Sequence, residues 1–152
     1  MSAFTPAEDG FEERVRASFE RQGVMGLMGA RLTRVELGLV EITVPFREDL
    51  TQQHGFFHAG VATTLADSAA GYAAYTLLPA DAAILAVELK INFVAPAKGE
   101  NLIATGRVLK SGRTLTVNEM DVHCVQGEDR VLCARGIQTT ICLRDRPTLT
   151  PG

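Results

Sequence analysis

The sequence predicts an α+β fold in which a curled antiparallel sheet wraps around one long central helix. Residues from His58 to about Leu78 are apolar on nearly all sides and include one charged residue, Asp67. Two short segments with strand-like patterning precede this helix, and four such segments follow it. One sheet that curls around one apolar helix buries all of these apolar faces together.

Length and composition restrict the classes of protein that fit. The 152 residues, 46% hydrophobic and 22% charged, suit one globular domain. A net charge of −3 gives no concentrated basic face for nucleic acid, and the N-terminus lacks a secretory signal pattern. The apolar residues 55–80 carry Asp67 without cationic flanks, so a buried helix fits better than a membrane span. Three cysteines without CxxC spacing favour reduced thiols, so we expect a cytoplasmic protein.

The first predicted element is an amphipathic helix over about residues 6–23. Thr5 has the residue type of an N-cap, and the proline that follows it suits the first helical position. Phe11, Val15 and Phe19 then recur every four residues with charged residues between them, which is typical of a helix with one buried face.

Two short paired strands are predicted over residues 30–46, with Gly38 as a bend or a bulge. Residues 47–57 are polar and predict a loop that leads into the central helix. Pro79 stops that helix, because proline cannot continue the helical hydrogen bonding.

The C-terminal half of the chain predicts an antiparallel meander. Residues 85–93 alternate apolar and polar side chains, which indicates a half-buried strand with the inner set Leu85, Val87, Leu89, Ile91 and Phe93. Residues 96–99 predict a turn, and three further strands follow at 101–110, 113–125 and 130–143.

We therefore interpret the chain, residues 1–152, as one domain with a core over about 25–143 and a loose tail over 144–152. No internal repeat or linker divides it. Because an open strand edge invites pairing, two copies are expected to join their sheets edge to edge as a homodimer.

Asp67 is the most informative residue for function. A lone carboxylate inside an otherwise apolar helix costs free energy unless something uses it. It can act as a general base or nucleophile in a cleft, or it can be a structural carboxylate that is hydrogen-bonded to the backbone or to a partner chain. Burial would raise the pKa of this carboxyl and make it a better base.

The segment His58-Ala59-Gly60 begins the central helix. First-turn amides have no intrahelical partner, so those of Ala59 and Gly60 can stabilise a developing oxyanion. Asp67 follows Gly60 by about two helical turns on the same face, which is consistent with a carboxylate and an amide pair beside one reacting carbon. The alternative is that Gly60 only permits tight packing of the helix against the sheet.

Other polar residues lie near this helix start or at strand ends. Gln52, in the preceding loop, can orient a water or polarise a carbonyl, and His58 can make a polar contact at the helix start. His54 and His58 are too few ligands for a metal site. Arg113 can meet a phosphate group at a strand end. For Gln52 and Arg113 the alternative is an ordinary solvated residue.

These motifs carry a family resemblance over about residues 25–143. The stretch Gln52–Gly60 followed by VATTLAD, with VELKINFVAPAKGE and VLKSGRTLTV downstream, resembles hotdog-fold acyl-CoA thioesterases of the phenylacetate-type (PaaI-like) branch. The resemblance implies that the chain hydrolyses an acyl-CoA to a carboxylic acid and free CoA, with no metal or redox cofactor. It also implies a homodimer with the active site at the subunit interface, assembled further into a homotetramer.

The resemblance also implies roles for individual residues. Asp67 matches the catalytic carboxylate, and Ala59 matches the glycine whose backbone amide binds the thioester oxygen. Gln52 falls where relatives carry Asn or Gln that positions water or substrate. Asp67 and the amide would come from different subunits.

Two positions depart from the family pattern. Ala59 replaces a glycine, which keeps the amide but narrows the approach to it. Ala86 stands where some relatives place a serine that helps to hold the attacking water. Aryl and medium-chain acyl groups both fit the helix face that carries Tyr72, Tyr75 and Leu65.

Two other functions remain open from the sequence. Asp49 and His54 have the D-x4-H spacing of hotdog enoyl-CoA hydratases, although the usual Asn-Pro between them is missing. A non-catalytic acyl-CoA binding module would keep the acyl tunnel but would not need Asp67.

Overall fold

A computed structural model describes residues 4–144, so most of the tail expected over 144–152 lies outside the described residues. A curled six-stranded antiparallel sheet surrounds a central helix, which confirms the predicted hotdog arrangement. In chain order the elements are α1 (Phe11–Glu20), α2 (Gly23–Met28), β1 (Arg31–Glu36), β2 (Leu39–Pro45), α3 (Ala59–Tyr75), β3 (Ala83–Phe93), β4 (Asn101–Ser111), β5 (Leu115–Gln126) and β6 (Asp129–Leu143). A single 3-10 turn, Glu48–Leu50, lies in the predicted polar loop. None of the helices within residues 4–144 is long and apolar enough to cross a membrane.

The N-terminal helix is shorter than predicted. It begins at Phe11 instead of about residue 6, and Gly10 precedes it in the left-handed conformation, with φ of 78° and no side-chain cap. Because this conformation interrupts a right-handed helix, Thr5 is not the N-cap, which corrects the prediction. Val15 and Phe19 are buried, as their spacing predicts.

Helix α3 forms the centre of the core. Leu65, Ala66 and Ala69 have no exposed surface, so the helix is enclosed on most sides, as its apolar composition predicts. Strand β4 crosses it closely, since a Cβ atom at Gly106 would overlap the backbone of Ala69. Small side chains at the contact therefore let the sheet lie directly on the helix.

The strand order β1-β2-β4-β5-β6-β3 corrects the predicted meander. Strand β3 pairs with β6, because β2 and β5 already occupy both edges of β4. Residues 94–100 are therefore not a hairpin turn but a crossing segment. The Val94 amide donates to the Cys133 carbonyl at 2.8 Å, and the Glu100 amide donates to the Val125 carbonyl at 2.8 Å.

A bulge in β3 changes which side chains face inward. Register is lost at Val87, between the pairs Ala86–Thr140 and Glu88–Thr139. Before the bulge Ile84 packs on the core, and after it Leu89 and Ile91 do. Leu85, Val87 and Phe93 are instead exposed, by 48%, 58% and 51%. The prediction of one continuous inner face is therefore wrong for Leu85 and Val87, because a bulge shifts the side-chain alternation by one position. Phe93 has the same alternation as Leu89 and Ile91, but it is the last residue of the strand and is exposed there.

Candidate active site

Asp67 opens into a cavity of about 620 Å³ between α3, β3, β6 and the end of α1. We call this space the Asp67 cavity. Its volume lies within the range of small-molecule binding sites. The lining residues are Ser18, Arg21, Gln22, Asp67, Ser68, Gly71, Tyr72, Tyr75, Ala82, Ala83, Ile84, Leu85, Ala86, Gln138 and Thr140. Of the predicted site residues, the cavity thus combines Asp67 with Ala86.

One side chain of the sheet holds the Asp67 carboxylate. The Gln138 Nε2 group donates to Asp67 Oδ1 at 2.6 Å and lies 3.0 Å from the Asp67 carbonyl oxygen. Burial raises the pKa of Asp67 above its usual range, and the hydrogen bond from Gln138 offsets part of that rise. A partly desolvated, oriented carboxylate beside a cavity is suited to act as a base or nucleophile.

The N-terminal segment forms one wall of the Asp67 cavity. Ser18 Oγ lies 3.3 Å from the Tyr72 hydroxyl, and Ser68 Oγ donates to Gln22 Oε1 at 3.2 Å. These contacts join the end of α1 and the residue before α2 to α3. Tyr72 and Tyr75 line the cavity as expected, whereas Leu65 is fully buried in the core and does not line it.

The start of α3 borders a second cavity of about 460 Å³, which we call the Ala59 cavity. It is lined by Gln52, Phe56, Phe57, Ala59, Ala62, Phe93, Val94, Ala95, Pro96, Ala97 and Cys133. Two of the predicted site residues, Gln52 and Ala59, therefore line the same cavity. The Gln52 side-chain oxygen accepts a hydrogen bond from the His54 amide, which fixes the loop before the helix.

His58 caps the helix through its side chain. Its Nδ1 accepts a hydrogen bond from the Gly60 amide at 2.8 Å, and its carbonyl accepts from Val61 and Ala62. Gly60 is therefore not free to bind a substrate oxygen, which departs from the expectation of an amide pair. Among the described residues nothing hydrogen-bonds to the Ala59 amide, so this first-turn donor stays available at the positive end of the helix dipole.

Asp67 and Ala59 do not face a common space within one chain. Eight residues of helix separate them, which is a rise of about 12 Å, and each lines its own cavity. The expectation that the carboxylate and the amides flank one carbon is therefore wrong for a single chain. A shared site requires a second copy of the protein.

The remaining predicted residues lie outside both cavities. Arg113 is exposed in the turn after β4, two residues before Leu115, which shares a row across the sheet with Ile141 and Leu85. It therefore lies at the same end of the sheet as the Asp67 cavity. His54 is exposed, and its ring nitrogen Nε2 lies 3.4 Å from the side-chain nitrogen Nε2 of Gln53.

The Asp49–His54 pair of the hydratase alternative is not assembled. Asp49 accepts a hydrogen bond from Arg47 at 2.6 Å, and its side chain is 64% exposed. Neither Asp49 nor His54 lines a described cavity. Within residues 4–144, no three His, Cys, Asp or Glu side chains are grouped so that they could hold a metal ion.

Sequence reasoning missed Gln138 and the polar residues around it. Asn118 and Gln138 face each other on β5 and β6 and are 0% and 1% exposed. In β5 the inward positions that follow Asn118 are apolar, beginning with Met120 and Val122. A polar residue at an inward position of a strand was therefore the signal that could have identified them.

Several known proteins are similar to this chain in sequence and in fold. Residues 54–131, about half of the chain, match the profile of the family described as "Thioesterase superfamily". A protein of Saccharolobus solfataricus that is named an esterase is 30% identical over 131 residues, 86% of this chain and 85% of that protein. Human acyl-coenzyme A thioesterase 13 is 31% identical over 86 residues, 56% of this chain and 61% of that protein. The crystal structure of a thioesterase family protein from Silicibacter pomeroyi superimposes with a TM-score of 0.87 at 43% identity and covers 89% of this chain and 99% of that one.

Proposed function

Because this chain belongs to the thioesterase superfamily and is a thioester hydrolase, we propose that it converts an aryl- or medium-chain acyl-CoA to the free acid and CoA. The observation that carries the proposal is the partly buried Asp67 carboxylate, oriented by Gln138 beside a cavity of about 620 Å³. Similarity to a protein named an acyl-coenzyme A thioesterase supports CoA as the thiol. The aromatic lining from Tyr72 and Tyr75 supports an apolar acyl group.

We propose that the complete site forms between two copies of the chain. Within residues 4–144, strand β3 has β6 on one side and no strand on the other, and it exposes Val87 and Phe93. The Asp67 cavity lies at the start of β3, at Ala83–Ala86, and the Ala59 cavity lies at its end, at 93–97. Antiparallel pairing of two β3 strands about a two-fold axis would bring the start of one beside the end of the other. The Asp67 cavity of one copy would then adjoin the Ala59 cavity of its partner.

In this site the thioester oxygen accepts a hydrogen bond from the Ala59 amide of one copy. The Asp67 carboxylate of the other copy either attacks the carbonyl carbon or takes a proton from a water that attacks it. Negative charge develops on the carbonyl oxygen, and the amide and the helix dipole stabilise it. Collapse of the intermediate breaks the carbon–sulfur bond and releases CoA. If Asp67 is the nucleophile, water then hydrolyses the resulting anhydride.

The assembly and the CoA contacts extend this proposal. Arg113 lies at the correct end of the sheet to meet the nucleotide phosphates outside the cavity.

Leu85, Leu115 and Ile137 are each about half exposed on the outer face of the sheet. This apolar surface supports association of two dimers into a homotetramer. The cytoplasmic location stays a prediction.

A thiol-release assay over a panel of acyl-CoA substrates tests the proposed function. We expect release of CoA from aryl- and medium-chain esters at rates well above the uncatalysed reaction. Binding of the esters without thiol release would instead support the binding module. Hydration of a 2-enoyl-CoA that is lost in His54→Ala and kept in Asp67→Asn would support the hydratase.

Gly71 is a position where a side chain can be added inside the Asp67 cavity. This residue lies within α3 and lines the Asp67 cavity, where an added Cβ atom would meet nothing within 4 Å. We expect Gly71→Ala to raise the free energy of unfolding by about 0.5–1 kcal/mol, measured by urea denaturation, because glycine is a poor helix former.

The larger variant Gly71→Leu fills part of the same space. We expect it to reduce kcat/KM for aryl and medium-chain esters by at least about tenfold, and to affect acetyl-CoA much less, because a pocket discriminates by size. Equal loss for all acyl groups, or none for the large ones, would show that this cavity does not hold the acyl group.

A further inference from the structure

A buried polar patch lies on the inner face of the sheet beneath Asp67. Asn118 pairs with Gln138 across β5 and β6, and Thr116 pairs with Thr140 two rows away, on the same face of the sheet. All four are at most 4% exposed. Buried amides and hydroxyls cost free energy unless they are hydrogen-bonded. Four of them at one place in an otherwise apolar face therefore indicate a role beyond packing.

The hydrogen bonds of this patch form a chain in which Asn118 donates to Gln138 and Gln138 donates to Asp67. We call this chain the relay. Asn118 Nδ2 donates to Gln138 Oε1 at 3.3 Å and lies 3.5 Å from Thr140 Oγ1. With its oxygen engaged by Asn118, Gln138 turns its Nε2 towards Asp67 and donates to the carboxylate at 2.6 Å. If the Gln138 amide were reversed, its oxygen would face the carboxylate oxygen, and two acceptors repel each other. The observed direction is thus the one that an ionised Asp67 requires.

The relay costs folding free energy, so a role in packing alone does not explain it. Asn118 Oδ1 is buried and has no hydrogen-bond partner among the described residues. An apolar residue of similar shape at this position would avoid that cost. Asn118 therefore lowers the stability of the fold, while its side-chain amide donates a hydrogen bond to Gln138.

We propose that Gln138 is a positioning residue, which holds the Asp67 carboxylate in its reactive orientation, and that Asn118 fixes the orientation of the Gln138 amide. This inference rests on the proposed function of Asp67. Neither Gln138 nor Asn118 needs to contact the reacting atoms. Gln138 also binds the Asp67 carbonyl oxygen at 3.0 Å, so it anchors both the main chain and the side chain of the residue that it orients.

Among residues 4–144, few other titratable groups face Asp67. The titratable residues that line its cavity are Arg21, after α1, and Tyr72 and Tyr75 of α3, whereas the lining residues from β3 and β6 are not titratable. Burial raises the pKa of Tyr72, so its phenol stays neutral in the range where carboxyls titrate. The bond from Gln138 lowers the pKa of Asp67, and its removal should move the titration of Asp67 to higher pH.

The test compares the titration of Asp67 in three variants by carbon NMR of labelled aspartate carboxyls, with Asp67→Asn identifying the signal. Gln138→Met removes the donor while it conserves shape. Asn118→Leu combined with Gln138→Met removes both partners, which protects folding because no buried amide is left unpaired. Thr116→Val is the control, since it changes the same buried patch without touching the relay or the cavity.

We expect the midpoint of the Asp67 titration to move to higher pH in both Gln138 variants and to stay unchanged in Thr116→Val. In the Gln138 variants the acid limb of the kcat–pH profile should move by the same amount. Their kcat/KM at neutral pH should fall on the order of tenfold, with little change in KM. An unchanged Asp67 midpoint in the Gln138 variants would overturn the inference. A shifted titration midpoint with an unshifted acid limb would show that Gln138 contacts Asp67 but would refute Asp67 as the catalytic group, and the positioning role would fall with it.

Discussion

Replacing Asp67 by asparagine should reduce thioester hydrolysis by about 10²–10⁴-fold while the chain stays folded. Asparagine keeps the shape of the side chain and an oxygen that can accept the hydrogen bond from Gln138, so the local structure should persist. It removes the negative charge that attacks the carbonyl or takes the proton from water. Thiol release from an aryl- or medium-chain acyl-CoA measures the loss, and turnover within a few-fold of the unchanged chain would refute the assignment.

The pH dependence of stability gives this variant an independent control. Burial raises the pKa of Asp67 in the folded chain above its ordinary value of 3.8. The folded state therefore binds this proton more tightly than the unfolded state does. The resulting stabilisation is complete below the ordinary pKa and is lost as pH rises through the raised pKa.

At neutral pH the charged, partly buried carboxylate thus opposes folding. We expect Asp67→Asn to unfold at higher urea concentration than the unchanged chain near neutral pH, and this advantage to shrink towards pH 3.8. A variant that is less active and also less stable at neutral pH would indicate structural damage instead of the loss of a catalytic group.

Replacing Ala59 by proline should lower kcat by about 10²–10³-fold, because it removes the amide that is proposed to bind the thioester oxygen. Proline suits the first position of a helix. The preceding residue, His58, has φ of −64° and ψ of 140°, which is the conformation that proline requires before it. No hydrogen bond is lost in the free protein, since nothing among the described residues accepts from the Ala59 amide.

Ala59→Val is the matched control, because it adds bulk at the same position and keeps the amide. It should retain far more activity than Ala59→Pro. Equal activity of Ala59→Pro and the unchanged chain would exclude the Ala59 amide from the reaction.

A mixture of Ala59→Pro and Asp67→Asn chains tests whether the site is shared between subunits. If it is, half of the randomly mixed dimers contain both variants, and each of these has one intact site. The mixture should then regain about a quarter of the unchanged activity. A site built within one chain would regain none.

Local sequence patterns predicted much of the fold and several residues of the candidate site. The apolar composition of residues 58–78 predicted a buried helix, and the single charge within it predicted Asp67 as the residue to examine. The motif from Gln52 to Gly60 predicted a helix start at the site. Each of these signals depends on residues that are near one another in the chain, where periodicity and residue type constrain the backbone directly.

Only the tertiary structure decided how these pieces are combined. Strand β3 pairs with β6 because the edges of β4 are taken, and the bulge at Val87 reverses an alternation that looked continuous in the sequence. Gln138 reaches Asp67 across 71 positions of the chain. The His58 side chain accepts the hydrogen bond of the Gly60 amide, whereas the Ala59 amide has no partner in the part of the chain that the structure describes. These outcomes depend on competition for strand edges and hydrogen-bond donors between distant segments, and a local sequence pattern contains no information about that competition.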